Sequence, residues 1–162
     1  MLLFKNFLFT LIVPGSVAMW IPLWIVSRDA RRVDWLLTSE WHMAGLVPAA
    51  IGLAGYFACL SDFMTIGRGT PAPIDPPTRL VVQGLYRFVR NPMYVSVGTL
   101  LIGEVIVSAS LALAAYTALV WLAWHLVVVF LEEPALERTF GDEYRAYRAS
   151  VPRWVPRLRR SS

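Results

Sequence analysis

Residues 92–131 read PMYVSVGTLLIGEVIVSASLALAAYTALVWLAWHLVVVFL, forty positions in which Glu104 is the only acidic or basic side chain apart from His125. About 20 apolar residues, rising 1.5 Å each, cross roughly 30 Å of hydrocarbon. The run is therefore two segments, Pro92 to Val107 and Leu111 to Leu131, with only Ser108-Ala109-Ser110 between them. So short a connection predicts an antiparallel helical hairpin. Asn91-Pro92 supplies the start of the first helix, with Asn suited to cap the exposed N–H groups and Pro to the first helical position. The two ends of the hairpin that flank Asn91 and Glu132 then lie together on one side of the membrane.

Working outward, Phe7 to Val26 and Met43 to Phe63 are two further apolar segments. The first contains a cleavage-like GSVAM, yet the apolar run continues through Trp20 to Val26, longer than a signal-peptide core, so it reads as a retained span. Composition agrees: of 162 residues 57% are hydrophobic and seven are Trp, with a mean hydropathy of +0.55, more than a soluble domain of this size buries. The expectation is one all-α integral membrane domain over 1–162, with two spans in 1–61 and a loop, hairpin and C-terminal amphipathic helix in 62–162. Gly45, Gly52, Gly55, Ala54 and Ala58 mark the second span for close helix packing. Beyond Glu133, the recurrence of Leu136, Phe140, Tyr144, Tyr147 and Val151 at steps of three and four predicts a helix lying on the membrane surface.

Charge sets the orientation. The net charge is +4, and seven of the fourteen arginines follow residue 137. Lys5, the four arginines of the 62–91 loop and those seven oppose only Arg28, Arg31 and Arg32 on the other side, which puts both termini in the cytoplasm. A basic tail beside apolar helices points to anionic headgroups, not to nucleic acid. Cys59 is the only cysteine, which excludes an internal disulfide and a cysteine metal cluster; it reads as a small buried hydrophobe, and no metal is expected. The loop 62–84, with Pro71, Pro73, Pro76 and Pro77, is a stiff extended path of the kind that lines sites.

Two polar clusters flank the hairpin. Arg90 and Tyr94 are spaced to share a helical face beside the free N–H groups at the helix start, a place for a carboxylate or phosphate. Glu132 and Glu133 end the last span, where adjacent carboxylates repel each other and oppose the helix dipole, so positive charge from Arg90, Arg138 or a sulfonium or ammonium ligand belongs nearby. The plainer alternative is that the arginines follow the positive-inside rule, the tyrosines form an interfacial belt and the glutamates are a solvated helix end. His125, two turns before Glu132, sits where a substrate head could reach it or where it bonds within the bundle. Glu104, toward the opposite side, reads as a packing or pairing group.

The two motifs GLYRFVRNPMY and EEPALERTFGDEYRAYRASVPRWVPR, about forty residues apart, resemble the isoprenylcysteine carboxyl methyltransferase and phospholipid methyltransferase superfamily, and GRGTPAPIDPP looks like its bacterial members. The resemblance covers about 62–158. It implies methyl transfer from S-adenosylmethionine, held at the cytoplasmic end of the hairpin, to a lipid-like or amphipathic acceptor from the bilayer. It implies Gly84, Leu85 and Tyr86 as a turn beside the cofactor, Arg90, Asn91, Pro92 and Tyr94 as a second cofactor element, and Glu132 and Glu133 as the paired acids. Arg90, Glu132 and His125 are the candidate catalytic groups, Glu132 or His125 acting as base where the acceptor is a hydroxyl or a protonated amine. Many members have His at Asn91, and Asn does not titrate near neutral pH. The prenylcysteine enzymes carry an Arg just before their glutamates, whereas Val127 to Leu131 are apolar, which speaks against a prenylcysteine carboxylate. The rival readings are an NADPH-dependent membrane reductase, with Arg68, Arg79 and Arg87 on a 2′-phosphate, and a non-catalytic membrane scaffold.

Overall fold

The computed structural model describes residues 10, 12–29, 40–67 and 79–156. Within them the protein is helical, with no strand among the described residues. Helix α1 is Ile12–Ser27; α2 is Leu46–Asp62, entered through a 3₁₀ turn Glu40–Gly45 and left through a π turn Phe63–Gly67. Helix α3 is Pro92–Ser108 and α4 is Leu111–Val127. A π turn, Val128–Glu132, joins α4 directly to α5, Glu133–Ser150. Two continuous helical runs, Glu40–Ile66 and Leu111–Ser150, are long and apolar enough to cross a membrane, while α1 and α3 are apolar but shorter. The four apolar segments therefore coincide with four helices, two of them of spanning length. Lys5, Arg31, Arg32, Arg68 and the proline-rich part of the loop lie outside the described residues, as do the last three arginines.

The hairpin turns where expected. Ala109 takes the left-handed conformation, φ 47°, which ends α3, and Ser110 caps α4 by accepting the Leu113 N–H at 3.3 Å. The Ser110 hydroxyl also donates to Asp29 at 2.7 Å and so ties the end of α1 to the turn. On the inner side, Ala18, Tyr56, Leu60, Val97 and Leu101 form a buried cluster shared by α1, α2 and α3, and Thr10 and Tyr56 share a hydrogen bond at 2.7 Å. Cys59 is fully buried, as expected of a small apolar side chain.

Small residues decide how near α2 and α3 come. A Cβ added to Gly52 would lie 2.5 Å from both the Leu100 nitrogen and the Ser96 carbonyl oxygen, and one on Gly45 would lie 2.5 Å from the Gly103 carbonyl oxygen. Gly45 and Gly52 thus do what their spacing predicts, whereas Ala54 and Ala58 fall on the exposed side of α2 and take no part. Gly52→Ala is expected to lower stability in detergent by about 1–3 kcal/mol through overpacking against backbone. Ala58→Leu is expected to change it by less than about 0.5 kcal/mol. Thermal unfolding of the two variants side by side checks this pair.

A helix follows in the stretch after Glu132, but it is not continuous in direction. Gly141, at φ 52° and ψ −122°, breaks α5 into two pieces, in a region of backbone space that a side chain rarely occupies. Its apolar stripe faces inward: Leu136, Phe140, Tyr144 and Tyr147 line a cavity shared with Phe63 and Tyr86.

Candidate functional site

The loop before α3 is shaped by one glycine. Gly84 has φ 56°, and a Cβ there would run into the Asp62 carboxylate, so the 3₁₀ turn Gly84–Arg87 sits tight against the end of α2. That turn buries Tyr86, edge-on to Phe63 with ring centroids 5.7 Å apart. The Leu85 carbonyl accepts the Phe88 N–H at 3.1 Å, and the Tyr86 carbonyl accepts the Tyr147 hydroxyl at 2.6 Å, fixing α5 over the loop.

Asn91 occupies the cap position with Pro92 following, as the sequence predicts, but its side chain does not cap. Its Nδ2 donates to the Arg153 carbonyl at 3.3 Å, and only its backbone oxygen accepts from Val95, at 3.1 Å. The competing acceptor belongs to a non-helical strap, residues 151–156, that follows α5 and crosses the mouth of the hairpin. Pro152 accepts the Arg90 backbone N–H at 2.8 Å. The Trp154 indole N–H donates to His125 Nδ1 at 3.2 Å, and its ring lies edge-on to Tyr94 and Trp121. His125 is exposed on α4 and is held from the strap, not from the helix bundle.

The paired acids part company. Glu133 is buried and receives Arg153 Nε on Oε1 at 2.7 Å, Arg153 Nη2 on Oε2 at 2.9 Å, and Arg90 Nη2 on Oε1 at 3.1 Å. Burial by itself would raise the Glu133 carboxyl, but the Arg153 hydrogen bonds and the charges of Arg90 and Arg153 outweigh it and hold the group below the ordinary carboxylate range. Glu132 turns the other way and accepts the Tyr94 hydroxyl; burial lifts its carboxyl above the ordinary range, against the Tyr94 hydrogen bond and with the help of the Glu133 charge. Arg90 and Tyr94 therefore do not share a helical face: Arg90 precedes α3 and serves Glu133, while Tyr94 serves Glu132. Of the two cations weighed for the acids, Arg90 is one and Arg138 is exposed; the second is Arg153, twenty residues from Glu133.

Arg90 is the unbalanced member of this cluster. Its side chain is 8% exposed, and Nε and Nη1 are buried without a hydrogen-bond partner among the described residues. Arg90 and Asn91 form the polar part of a cavity of about 70 Å³ whose other walls include Tyr86, Phe140, Tyr144 and Tyr147. Two guanidiniums against one carboxylate leave one positive charge at its edge. Buried donors left unsatisfied are costly, so this geometry suits an anionic group carried by a ligand with an aromatic or apolar body. Among the described residues no cluster of His, Cys, Asp or Glu could hold a metal ion.

A model of the phospholipid methyltransferase family matches residues 42–143, which takes in α2, the Gly84 turn, the hairpin, both acids and the first part of α5. The chain belongs to the phospholipid methyltransferase family. A methanethiol S-methyltransferase of Pseudomonas deceptionensis is 27% identical over 163 residues, covering 94% of the chain. The chain spans 60% of that relative's length. Both descriptions name methyl transfer, and neither match supports the reductase or scaffold reading. The arginines weighed for a 2′-phosphate fit that outcome: Arg79 and Arg87 are exposed, Arg87 stacks over Phe88 at 4.7 Å, and Arg68 lies outside the described residues.

Proposed function

We propose that this methyltransferase uses S-adenosylmethionine and methylates a lipid-like or amphipathic acceptor at the cytoplasmic face of a bacterial inner membrane, with four spans and both termini inside. The observation that carries the reading is Arg90, which lines an aromatic cavity and has two buried nitrogens, Nε and Nη1, without a partner among the described residues. S-Adenosylmethionine supplies a methyl group activated on a sulfonium. Arg90 would hold the carboxylate of its methionine portion by its charge and an unpartnered N–H. The rings of Tyr86, Phe140, Tyr144 and Tyr147 give apolar surface and exclude water. Glu132, held by the Tyr94 hydroxyl, would take a proton where the acceptor carries one. Most of the acceleration then comes from alignment in a water-poor site. His125, with Nδ1 engaged by the strap, holds Trp154 in place.

The lining fits this ligand in kind, and the room fits its anionic end. Small-molecule pockets run to about 300–1,000 Å³, well above the present cavity. Loading the nucleoside requires the walls to part, and the break at Gly141 separates the piece of α5 that carries Glu133 from the piece that carries Tyr144 and Tyr147. The family's phospholipid acceptors and the thiol acceptor in the relative's name give the assay its two arms. Purified protein is incubated with methyl-labelled S-adenosylmethionine and either a total lipid extract or methanethiol. Saturable binding with label recovered in lipid is the expected result. Label in the thiol alone overturns the acceptor, and no saturable binding overturns the cofactor.

A further inference from the structure

We infer that Arg153, in the strap after α5, is a positioning residue of the anion site: it keeps Arg90 in single contact with Glu133 and so leaves the Nε–H edge of Arg90 for the ligand's carboxylate. The inference rests on the S-adenosylmethionine reading of the same cavity.

The geometry of the triad leads there. Glu133 Oε1 is shared by Arg90 Nη2 and Arg153 Nε, while Oε2 is held by Arg153 Nη2. Arg153 therefore takes the forked, two-bond place on the carboxylate and Arg90 a one-bond place. Forked pairing is the preferred geometry of a guanidinium with a carboxylate, so Arg90 is kept from it by the competing cation. Without the Arg153 side chain, Glu133 would hold a bare, buried Oε2, and Arg90 is the guanidinium already in contact. Turning Arg90 so that Nε and Nη2 grip both oxygens satisfies Glu133 and withdraws Nε from the cavity. The anion site would close on the protein's own acid.

The strap does not depend on the Arg153 side chain for its course. Pro152 accepts from Arg90, the Arg153 carbonyl accepts from Asn91, and Trp154 donates to His125. Substitutions at Arg153 therefore remove the side-chain bonds and leave three backbone or neighbouring ties in place.

The test uses the full chain in detergent or nanodiscs, titrated calorimetrically with S-adenosylmethionine and with its decarboxylated analogue, for wild type, Arg153→Gln and Arg153→Lys. Arg153→Gln is expected to weaken S-adenosylmethionine roughly ten- to a hundredfold, the worth of a charged hydrogen bond, and to change the analogue less than about twofold, within the small change expected when the lost bond is one the analogue never makes. Arg153→Lys, which keeps the charge but holds one oxygen, is expected to fall between. Equal loss for both ligands shows a merely structural role and overturns the inference, as does no loss for either. Wild type that binds both ligands equally also overturns it, since no carboxylate contact then exists. Wild type that binds neither overturns the cofactor reading itself, a result separable from all the others.

Discussion

Arg90→Ala is expected to weaken S-adenosylmethionine binding by a hundredfold or more while the protein remains folded. A charge-assisted hydrogen bond worth about 1.5–3 kcal/mol and the uncompensated positive charge of the site are lost together, and every 1.4 kcal/mol is about tenfold in affinity. Folding survives because Glu133 keeps both of its bonds to Arg153, so no bare acid is left behind. Arg90→Lys is expected to recover only part of the loss, since a point charge replaces a planar fork. Binding of labelled ligand, read beside a thermal melt of the same sample, checks both halves. A melt unchanged from wild type together with wild-type affinity would remove Arg90 from the site.

The second large effect separates the two acids that adjoin in sequence. Glu133→Gln leaves two guanidiniums facing each other around a neutral amide in a buried setting, and breaking such a pair costs about 3–5 kcal/mol. Glu132→Gln removes a half-buried carboxylate bonded to a tyrosine, so its melting temperature should stay near wild type while ligand binding falls. The pH dependence carries the same signature. The Glu133 carboxyl is held below its ordinary range, so its contribution to stability is complete above about pH 4.3 and is lost as pH falls through the lower folded value. Wild type should lose stability on acidification in that window, and Glu133→Gln should not. Identical acid profiles, or a Glu132→Gln variant as unstable as Glu133→Gln, would count against this division of roles.

Much of the fold could be read in advance because apolar runs of set length leave few choices. The Ser108-Ala109-Ser110 connection is too short for anything but an antiparallel pair, and that alone brings Asn91 and Glu132 to one end. The glycine spacing of α2 named the packing face at Gly45 and Gly52, since a missing Cβ matters where backbones touch. Three features were not legible. The partner of the α5 stripe was hidden, because the same periodicity serves a lipid surface or a cavity. The strap was hidden because non-helical backbone has no period to read, and Arg153 meets Glu133 across twenty residues of chain; paired acids called for positive charge, which is the one signal that led toward it. The separation of Glu132 from Glu133 was hidden because a regular 3.6-residue count does not foresee the wide turn before them.

That wide turn, Val128–Glu132, makes the residue tally between Trp121 and Glu133 part of the chemistry. Winding these five residues as ordinary helix, with none removed, would swing everything after them by about 100°. The second acid would then leave its cations, and the tyrosines that wall the cavity would be carried round toward the bilayer. Homologous chains of the same length that wind this stretch as ordinary helix should therefore show a rewired anion site, even where every motif letter is retained.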